Sequence, residues 1–427
     1  MSVFRTIRSQ MKRKLCTTSI LGAILLIASC ILYSKITSSR YQRLVRYANE
    51  KPESQVTVHD QPQNNLAVVK ALQTENQKVI PTQNKVKDKK EAEIKPTEPP
   101  VLLGEAYATD TTYMNSKCPE RIREVALNIE WLKRIFIHTI PVLQWNDHVT
   151  MEEYQRLQIY NLCYGYAIID FAELKRTLDV LNATANRFMF DDWEVRKSGQ
   201  KPCIHCAVVG NGGILKDSKK GKEIDDHDYI FRVNGAITQG FENDVGNRTS
   251  FYFFSTNTMK NSLWGHKHAG FTGLPQSQET RYVFIPENLR DYLMIRAAAT
   301  NTTVEFGKDK SSSPPDYFGK QPGPEKFKLL HPDFLRYMRN RFLKAGHWKS
   351  RIYRPSTGAI MLLTALHTCD KVSAYGFITP EYGNYSAYYY DRKYTKLIFY
   401  GNHHLKMEMN LWQRLHEAGA IKLYMKT

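Results

Sequence analysis

The sequence has little cysteine, and its few cysteines lack the pattern of a metal-binding protein. It contains seven in 427 residues, and five of them follow the long apolar run near the amino terminus. Cys203 and Cys206 form a C-x-x-C pair, but no second pair and no histidine pair at zinc-finger spacing accompanies it. The pattern argues against a structural zinc site. The odd count leaves one of the five thiols unpaired or in an intermolecular bond.

The sequence also lacks internal repeats and any basic, aromatic-rich segment typical of nucleic-acid binding. Its formal net charge is +18, yet Lys and Arg are spread along the chain. The densest cluster, KVKDKK, carries an aspartate and lies in low-complexity sequence. We therefore expect no nucleic-acid partner, whereas a membrane surface or an anionic small molecule would suit the charge.

One long run without charge stands near the amino terminus. Residues 15–33 read LCTTSILGAILLIASCILY and follow several basic residues. This is close to the ~20 residues that cross a bilayer as a helix, and it is long for a cleaved signal peptide. We predict an uncleaved transmembrane anchor at 15–33, with residues 1–14 as a cytoplasmic tail and the remainder on the luminal side.

The chain after this run divides by composition. Residues 34–117 are rich in Lys, Glu, Gln, Thr and Pro, which predicts a flexible luminal stem. Residues 118–427 are predicted to form one folded domain. N-x-S/T sequons suit a luminal location, and we expect glycosylation at Asn182, Asn301 and Asn384. A fourth sequon, at Asn247, lies among the motifs described below and is not included.

Strands alternate with helices in the predicted domain, which is typical of a mostly parallel α/β sheet. The predicted strands are CAVVG, Tyr229–Val233, TSFYFFST, RYVFIP, KVSAYGF and IKLYM. The predicted helices are REVALNIEWLKRIF, HPDFLRYMRNRFLKAG, STGAIMLLTALHTC and HLKMEMNLWQRLHEAG. The expected architecture is a single Rossmann-like domain with helices flanking the sheet.

A glycine turn follows the first of these strands, with Gly210, Gly212 and Gly213 in CAVVGNGGILKDSKKG. Such a turn can direct backbone N–H groups at a phosphate. The dinucleotide pattern G-x-G-x-x-G fails, however, because its third glycine is Leu215. The acidic position at the end of the next strand is occupied by Asn234. The turn alone does not decide between a nucleotide site and an ordinary strand end.

Three other patterns leave alternatives open. Ser356, Thr357 and Gly358 begin a helix, where they serve either as a cap or as an anion site. Asp226-His227-Asp228 matches the D-x-D metal signature but precedes its strand, so a polar strand entry is favoured. Two histidines, His403 and His404, precede the last helix. Glu408 is four residues after His404, so helical spacing favours His404 over His403 as its partner.

Taken together, these stretches resemble the animal sialyltransferases. The long motif of that family resembles Cys206 to Tyr252, the short motif resembles Arg354 to Phe377, and the H-x-x-x-x-E motif matches His403 to Glu408. NTMKNSLW, KFKLLHPDF, LLTALHTCDKVSAYGFIT and LIFYGNHHL resemble the alpha-N-acetylgalactosaminide alpha-2,6-sialyltransferases. The resemblance implies a GT-A-like sialyltransferase fold in a type II Golgi membrane protein. It also implies transfer of sialic acid from CMP-sialic acid to O-6 of GalNAc on O-glycosylated Ser or Thr.

The resemblance also assigns roles to individual residues. It makes His403, not His404, the general base of an inverting transfer that needs no cofactor or metal. It implies disulfides Cys206–Cys369 and Cys118–Cys203, leaving Cys163 unpaired. The donor contacts that it implies are Asn211 and Asn234 with the CMP moiety, Ser356, Thr357 and Gly358 with the ribose and carboxylate end, and Gly376 near the base.

One position departs from the family pattern. The family's third motif opens with a histidine, thought to help neutralise the departing phosphate, where this chain has Tyr388 in YYYD (388–391). A tyrosine hydroxyl donates a hydrogen bond but carries no positive charge. Either Tyr388 stabilises the leaving group, or Arg392 or Lys393 contributes, or turnover is reduced. The alternatives kept open are an α2,3 linkage, a galactose acceptor, and a catalytically weak glycan-binding protein.

Overall fold

The computed structural model describes residues 103–114, 116, 118–196, 202–320, 322–344 and 353–426. The predicted tail, the predicted span at 15–33 and most of the predicted stem lie outside these residues. Among the helices that are described, none is both long enough and apolar enough to cross a membrane.

An eight-stranded sheet organises the described part of the chain, in the order β1-β6-β5-β4-β3-β2-β7-β8. Its strands are β1 (Leu143–Gln144), β2 (His205–Val209), β3 (Tyr229–Val233), β4 (Phe251–Phe254), β5 (Arg281–Phe284), β6 (Phe327–Leu330), β7 (Lys371–Tyr375) and β8 (Lys422–Leu423). Only the edge pair of β1 with β6 is antiparallel within this sheet. The mostly parallel α/β prediction is confirmed.

The strand order changes direction beside β2, which pairs with β3 on one side and β7 on the other. In the register of the second pair, Val209 lies beside Tyr375. Open parallel sheets bind ligands at such a switch point, beyond the carboxyl ends of the strands. The topology thus selects the ends of β2 and β7 as the place to look for a site.

Helices cover both faces of the sheet. They are α1 (Ile122–Asn128), α2 (Glu130–Lys133), α3 (Met151–Leu157), α4 (Phe171–Leu178), α5 (Thr184–Arg187), α6 (Trp193–Arg196), α7 (Gly221–Asp225), α8 (Glu242–Val245), α9 (Thr256–Gly265), α10 (Leu289–Thr300), α11 (Pro315–Phe318), α12 (Pro332–Tyr337), α13 (Thr357–Thr368) and α14 (Leu405–Glu417). One core contains Val208, Phe231 and α13 residues. The other contains Val209, Ile230 and α10 residues. Neighbours on one strand thus enter opposite cores, as alternating side chains require.

Several parts of the fold differ from expectation. The single helix predicted over REVALNIEWLKRIF is two helices, α1 and α2, because Ile129 between them has an extended backbone. The helix predicted over HPDFLRYMRNRFLKAG is α12 and then a π-helical turn at Met338–Phe342. Its predicted end at Gly346 lies outside the described residues. Residues 103–114, which composition assigned to the stem, lie against the domain: Arg336 Nη2 donates to Ala106 O at 2.5 Å, and Ala108 N donates to Asp333 Oδ2 at 2.8 Å. The packed structure therefore begins before Cys118.

Both disulfides that the resemblance implies are present. Cys206 at the start of β2 is bonded to Cys369 at the end of α13, and Cys118 is bonded to Cys203. Cys163 is a free, buried cysteine. The first bond joins the strand and the helix whose other ends carry the glycine turn and the Ser356-Thr357-Gly358 sequence.

Candidate active site

A cavity of about 240 Å³ opens at the switch point of the sheet. Its walls come from the residues after β2, β3 and β7, from the first turn of α13, from 382–388, and from Leu397 and α14. The lining residues are Gly210 to Ile214, Val233, Asn234, Ser356, Gly358, Gly376 to Thr379, Tyr382, Tyr385 to Tyr388, Leu397, Leu405, Glu408 and Trp412. Among them Glu408 is the one carboxylic acid, and none is Lys, Arg or His.

The glycine turn is built for close contact between two strand ends. Gly210 N donates to Tyr375 O at 2.8 Å, and Gly212 N donates to Gly376 O at 3.0 Å. A Cβ at Gly212 would lie 2.6 Å from Gly376 O, and Gly376 itself has φ +70°. These two amides are therefore used inside the protein and are not available to a phosphate. The glycines matter because they let the two strand ends meet.

Two asparagines line the cavity, and the side-chain oxygen of each has no hydrogen-bond donor. Asn211 Nδ2 donates to Val233 O at 3.1 Å, whereas its Oδ1 is buried and has no partner. Asn234 has φ +50°, and its Oδ1 is likewise buried without a partner. A buried polar atom without a hydrogen bond is costly, and such atoms mark places where a ligand supplies the missing donor.

The first turn of α13 forms a third wall. Ser356 is its N-cap, and Ser356 Oγ accepts a hydrogen bond from Ala359 N at 3.0 Å. The next amides, of Thr357 and Gly358, belong to the first turn, which has no acceptor within the helix. Ser356 and Gly358 line the cavity, but Thr357 does not. The cap and the anion-site interpretations therefore hold together, because the same serine caps the helix and borders the space.

Glu408 fixes this turn from the opposite side. It is buried, and its carboxylate accepts from Ser356 N at 2.9 Å and from Ser356 Oγ at 2.6 Å. Burial raises the pKa of Glu408, and the two hydrogen bonds oppose that shift. The pairing of His404 with Glu408 that helical spacing favoured is absent: His404 caps α14, and its Nδ1 accepts from Met407 N at 3.2 Å.

His403 is not among the lining residues of the cavity, but it contacts Arg354, two residues before Ser356. Its Nδ1 is 2.9 Å from Arg354 O, and Arg354 N donates to Asn402 O at 3.0 Å. We assign the proton to Nδ1 because that atom faces a carbonyl, which leaves Nε2, 3.3 Å from Asn402 Nδ2, as the basic nitrogen. Burial lowers the pKa of His403; the hydrogen bond to Arg354 O opposes this shift, and the positive charge of Arg354 adds to it. A histidine held in its neutral form at neutral pH can accept a proton.

Arg354 has a second partner that sequence reasoning missed. Its guanidinium forms an ion pair with Glu287, a nearly buried residue that follows the carboxyl end of β5. The pair connects β5 to the segment that holds His403. No local pattern could have indicated this ion pair, because the two residues are far apart in sequence and share no motif.

Tyr388 lines the cavity and belongs to a cluster of rings. Tyr388 and Tyr390 stack with centroids 5.1 Å apart, and the His266 ring stands edge-on to Tyr388 at 5.2 Å. Burial raises the pKa of Tyr388, so its hydroxyl stays protonated. Arg392 and Lys393 are exposed and are not among the lining residues.

The other residues singled out from sequence lie elsewhere. Asp226 and Asp228 stand at the amino end of β3, at the opposite edge of the sheet from the cavity. Asp226 pairs with Lys222 at 2.7 Å, and Asp228 Oδ2 accepts from His205 N at 2.8 Å. All four sequon asparagines are exposed.

A potential set of metal ligands occurs away from the cavity, where Glu153, His331 and Asp333 come together. Arg156 Nη2 already contacts Glu153 Oε2 at 2.5 Å and Asp333 Oδ2 at 2.7 Å. Arg336 contacts the other oxygen of Asp333 at 2.5 Å. Two guanidinium groups therefore occupy the place of a cation, so this cluster does not fit a metal.

Comparison with known proteins agrees with this arrangement. Residues 143–420 match the model of glycosyltransferase family 29 (sialyltransferase), and the chain belongs to that family. It is a sialyltransferase by this membership, with named relatives that cover most of the domain.

Two relatives and one solved structure define the similarity further. Alpha-N-acetylgalactosaminide alpha-2,6-sialyltransferase 2 of Mus musculus is 48% identical over 297 residues, 69% of this chain and 79% of that protein. Alpha-N-acetylgalactosaminide alpha-2,6-sialyltransferase 1 of Gallus gallus is 36% identical over 394 residues, 90% of this chain and 67% of that protein. The crystal structure of a mammalian sialyltransferase has the same fold, with TM-score 0.54 and 24% identity, over 73% of this chain and 99% of that one.

Proposed function

We propose that this protein transfers sialic acid from CMP-sialic acid to O-6 of GalNAc linked to Ser or Thr of glycoproteins, with inversion at the anomeric carbon. The observation that carries the proposal is the cavity beyond the carboxyl ends of β2 and β7, which leaves two buried amide oxygens without donors next to the first turn of a twelve-residue helix. The names of relatives at 48% and 36% identity support the acceptor and the linkage.

The donor would occupy this cavity. Asn211 Oδ1 and Asn234 Oδ1 would accept hydrogen bonds from the cytidine or ribose part of CMP. The first turn of α13 at Ser356, Thr357 and Gly358 would face an anionic group, because its amides have no partner inside the helix and the helix dipole favours negative charge there. Gly376 would keep the strand ends close enough to form this space.

His403 would act on the acceptor. It lies beside the cavity rather than in its wall, which suits a group that contacts the sugar acceptor and not the donor. Its Nε2 would take the proton from the O-6 hydroxyl as that oxygen attacks the anomeric carbon of sialic acid. The bond from that carbon to the phosphate oxygen would break, and CMP would leave with the electron pair. No covalent enzyme intermediate is required.

Tyr388 would donate a hydrogen bond to the departing phosphate. Its hydroxyl is protonated at neutral pH, and a donor aimed at developing negative charge lowers the barrier. We also propose that the protein is a single-pass type II Golgi membrane protein with a luminal domain, on the basis of the apolar run at 15–33 and the basic residues before it.

The test is a product assay with the full-length chain in mild detergent. CMP-sialic acid and a GalNAc-Thr glycopeptide are incubated with enzyme in EDTA, and the product is analysed for mass and for linkage by NMR. The wild type and His268→Gln, a substitution at an exposed histidine, should form the 2,6-linked product. His403→Gln should lower kcat by at least about 100-fold, the lower range for loss of a general base.

Other outcomes identify the alternatives. A 2,3-linked product, or product from galactose acceptors alone, would replace the acceptor assignment while leaving the enzyme class intact. CMP binding without turnover on any acceptor would favour a glycan-binding protein. A His403→Gln variant as active as His268→Gln would remove His403 as the base.

A further inference from the structure

We propose that His266 supplies the positive charge that the wall of the donor cavity lacks, by acting behind Tyr388 and Tyr390 on the leaving phosphate. This inference rests on the proposed function, because it concerns the departure of CMP. His266 lies in no motif that the sequence analysis used. It follows α9 directly and is that helix's C-cap residue.

The need for such a charge follows from the composition of the cavity. A leaving phosphate gains negative charge in the transition state, and enzymes stabilise that charge with cations or fixed donors. The described lining residues contain no Lys, Arg or His, and the one ionisable carboxyl group among them, Glu408, would repel an anion if charged. Helix α13 and the Tyr388 hydroxyl supply dipoles only. A nearby group that can become positive would therefore have a large effect.

His266 lies behind the lining of this cavity, next to Tyr388 and to the residue that follows Asn234. Its ring stands edge-on to Tyr388 at 5.2 Å and to Tyr390 at 5.7 Å. Its Nδ1 is 3.3 Å from the Tyr390 hydroxyl. On the other side the ring lies against Gly235, where an added Cβ would be 2.5 Å from His266 Cδ2. Gly235 directly follows Asn234, so His266 lies next to a proposed donor-binding residue on one side and contacts Tyr388 and Tyr390 on the other.

The backbone holds this ring in place. His266 N donates to Ser262 O at 2.9 Å, and His266 O accepts from Ala269 N at 3.0 Å and from Phe271 N at 3.1 Å. Protonated His266 would donate from Nδ1 to the Tyr390 hydroxyl, and its positive charge beside the Tyr388 ring would strengthen the Tyr388 hydroxyl as a donor. His266 is a positioning residue in this scheme, because it acts through the tyrosines.

The charge of His266 depends on what surrounds it. Burial and His268 lower its pKa, whereas Asp391 raises it, and Tyr388 and Tyr390 are the other ionisable groups in contact with the ring. The unliganded ring is accordingly neutral at neutral pH. An anion in the cavity opposes this shift, so CMP binding should be accompanied by proton uptake at His266.

The first experiment measures that uptake. Full-length wild type, His266→Gln and the matched control His205→Gln, at an exposed histidine at the start of β2, are titrated with CMP by calorimetry near pH 7, in two buffers of different ionisation enthalpy. Wild type and His205→Gln should take up more protons per CMP than His266→Gln does. Equal uptake by all three proteins, with CMP bound, would overturn the role of His266 while leaving the donor site intact. If the folded wild type does not bind CMP, the proposed function fails, and this inference fails with it.

The second experiment measures turnover and distinguishes charge from simple packing. His266→Gln should lower kcat about 10- to 100-fold with acceptor KM within twofold of wild type. Adding Tyr388→His to His266→Gln should restore at least a tenth of the wild-type kcat, because the second substitution returns an ionisable nitrogen to the same wall. A double variant no faster than His266→Gln, or a His266→Gln as fast as His205→Gln, would contradict the proposal.

Discussion

Replacing Glu408 with glutamine should weaken donor binding while leaving the fold intact. The carboxylate accepts two hydrogen bonds from Ser356, at 2.9 and 2.6 Å; Glu408 is buried and Ser356 is half-buried. Glutamine has the same shape but one acceptor oxygen. That oxygen can serve Ser356 N, and the new NH₂ group then faces Ser356 Oγ, whose own hydrogen loses its acceptor.

The size of the effect follows from this one unsatisfied donor. Leaving a buried donor without a partner costs about 1–3 kcal/mol. If Ser356 moves so that its hydroxyl finds another acceptor, the first turn of α13 moves with it, and donor binding is weakened. The corresponding loss in donor affinity is about 5- to 150-fold, at 1.4 kcal/mol for each factor of ten.

The assay compares donor KM and CMP affinity for the wild type, Glu408→Gln and Glu417→Gln. Glu417 is exposed on the same helix, so its substitution changes the same charge without touching Ser356. Ser356→Ala and the double variant complete a cycle, in which the combined loss should be smaller than the sum of the two single losses. If Glu408→Gln and Glu417→Gln agree within twofold in both constants, the Ser356–Glu408 contact does not set the donor site.

Three other changes test the framework around the site. Gly376→Ala should weaken CMP binding at least about 10-fold by calorimetry, because φ is +70° and the new Cβ would lie 2.5 Å from Gly210 O; unchanged affinity would show that this contact is dispensable. Replacing Cys206 and Cys369 by serine should lower the denaturant-derived free energy of unfolding by about 5 kcal/mol, since the bond closes a loop with sequence separation 163; a loss below about 1 kcal/mol would refute that estimate. Asp291 is buried, and its pKa is raised to about 7, so the native state binds its proton more tightly than the unfolded state does. Stability should therefore fall as pH rises from about 4 to 7, by up to about 1.4 kcal/mol per pH unit, and Asp291→Asn should remove this slope in thermal melts; an unchanged slope would be contrary to this account.

Continuous apolar runs made most of the sheet predictable. Tyr229–Val233 is a strand with the predicted bounds, because five consecutive buried residues suit a central parallel strand. Strand β6 was missed because Lys328 interrupts its apolar pattern. Inside the fold that ammonium group is satisfied by Asp191 Oδ1 at 2.8 Å and by backbone carbonyls, including Phe188 O at 2.6 Å. Local composition cannot indicate partners about 140 residues away in sequence.

The site was predictable only in part, for the same reason. Helical spacing paired Glu408 with His404, yet Glu408 contacts Ser356, 52 residues earlier. The glycine turn was visible, but sequence did not indicate that the Gly210 and Gly212 amides donate to the end of β7. His266 gave no signal at all, because its significance depends on Tyr388 and Tyr390, which only the tertiary fold brings to it.

The Cys206–Cys369 bond has a mechanical consequence for the cavity. The bond joins the end of β2 and the end of α13 that lie away from the cavity. Because β2 and α13 also pack in one core, the bond restrains their separation at the cavity end. The part of the lining formed by Tyr385 to Tyr388 and Leu397 belongs to no helix or strand, so this bond does not constrain it.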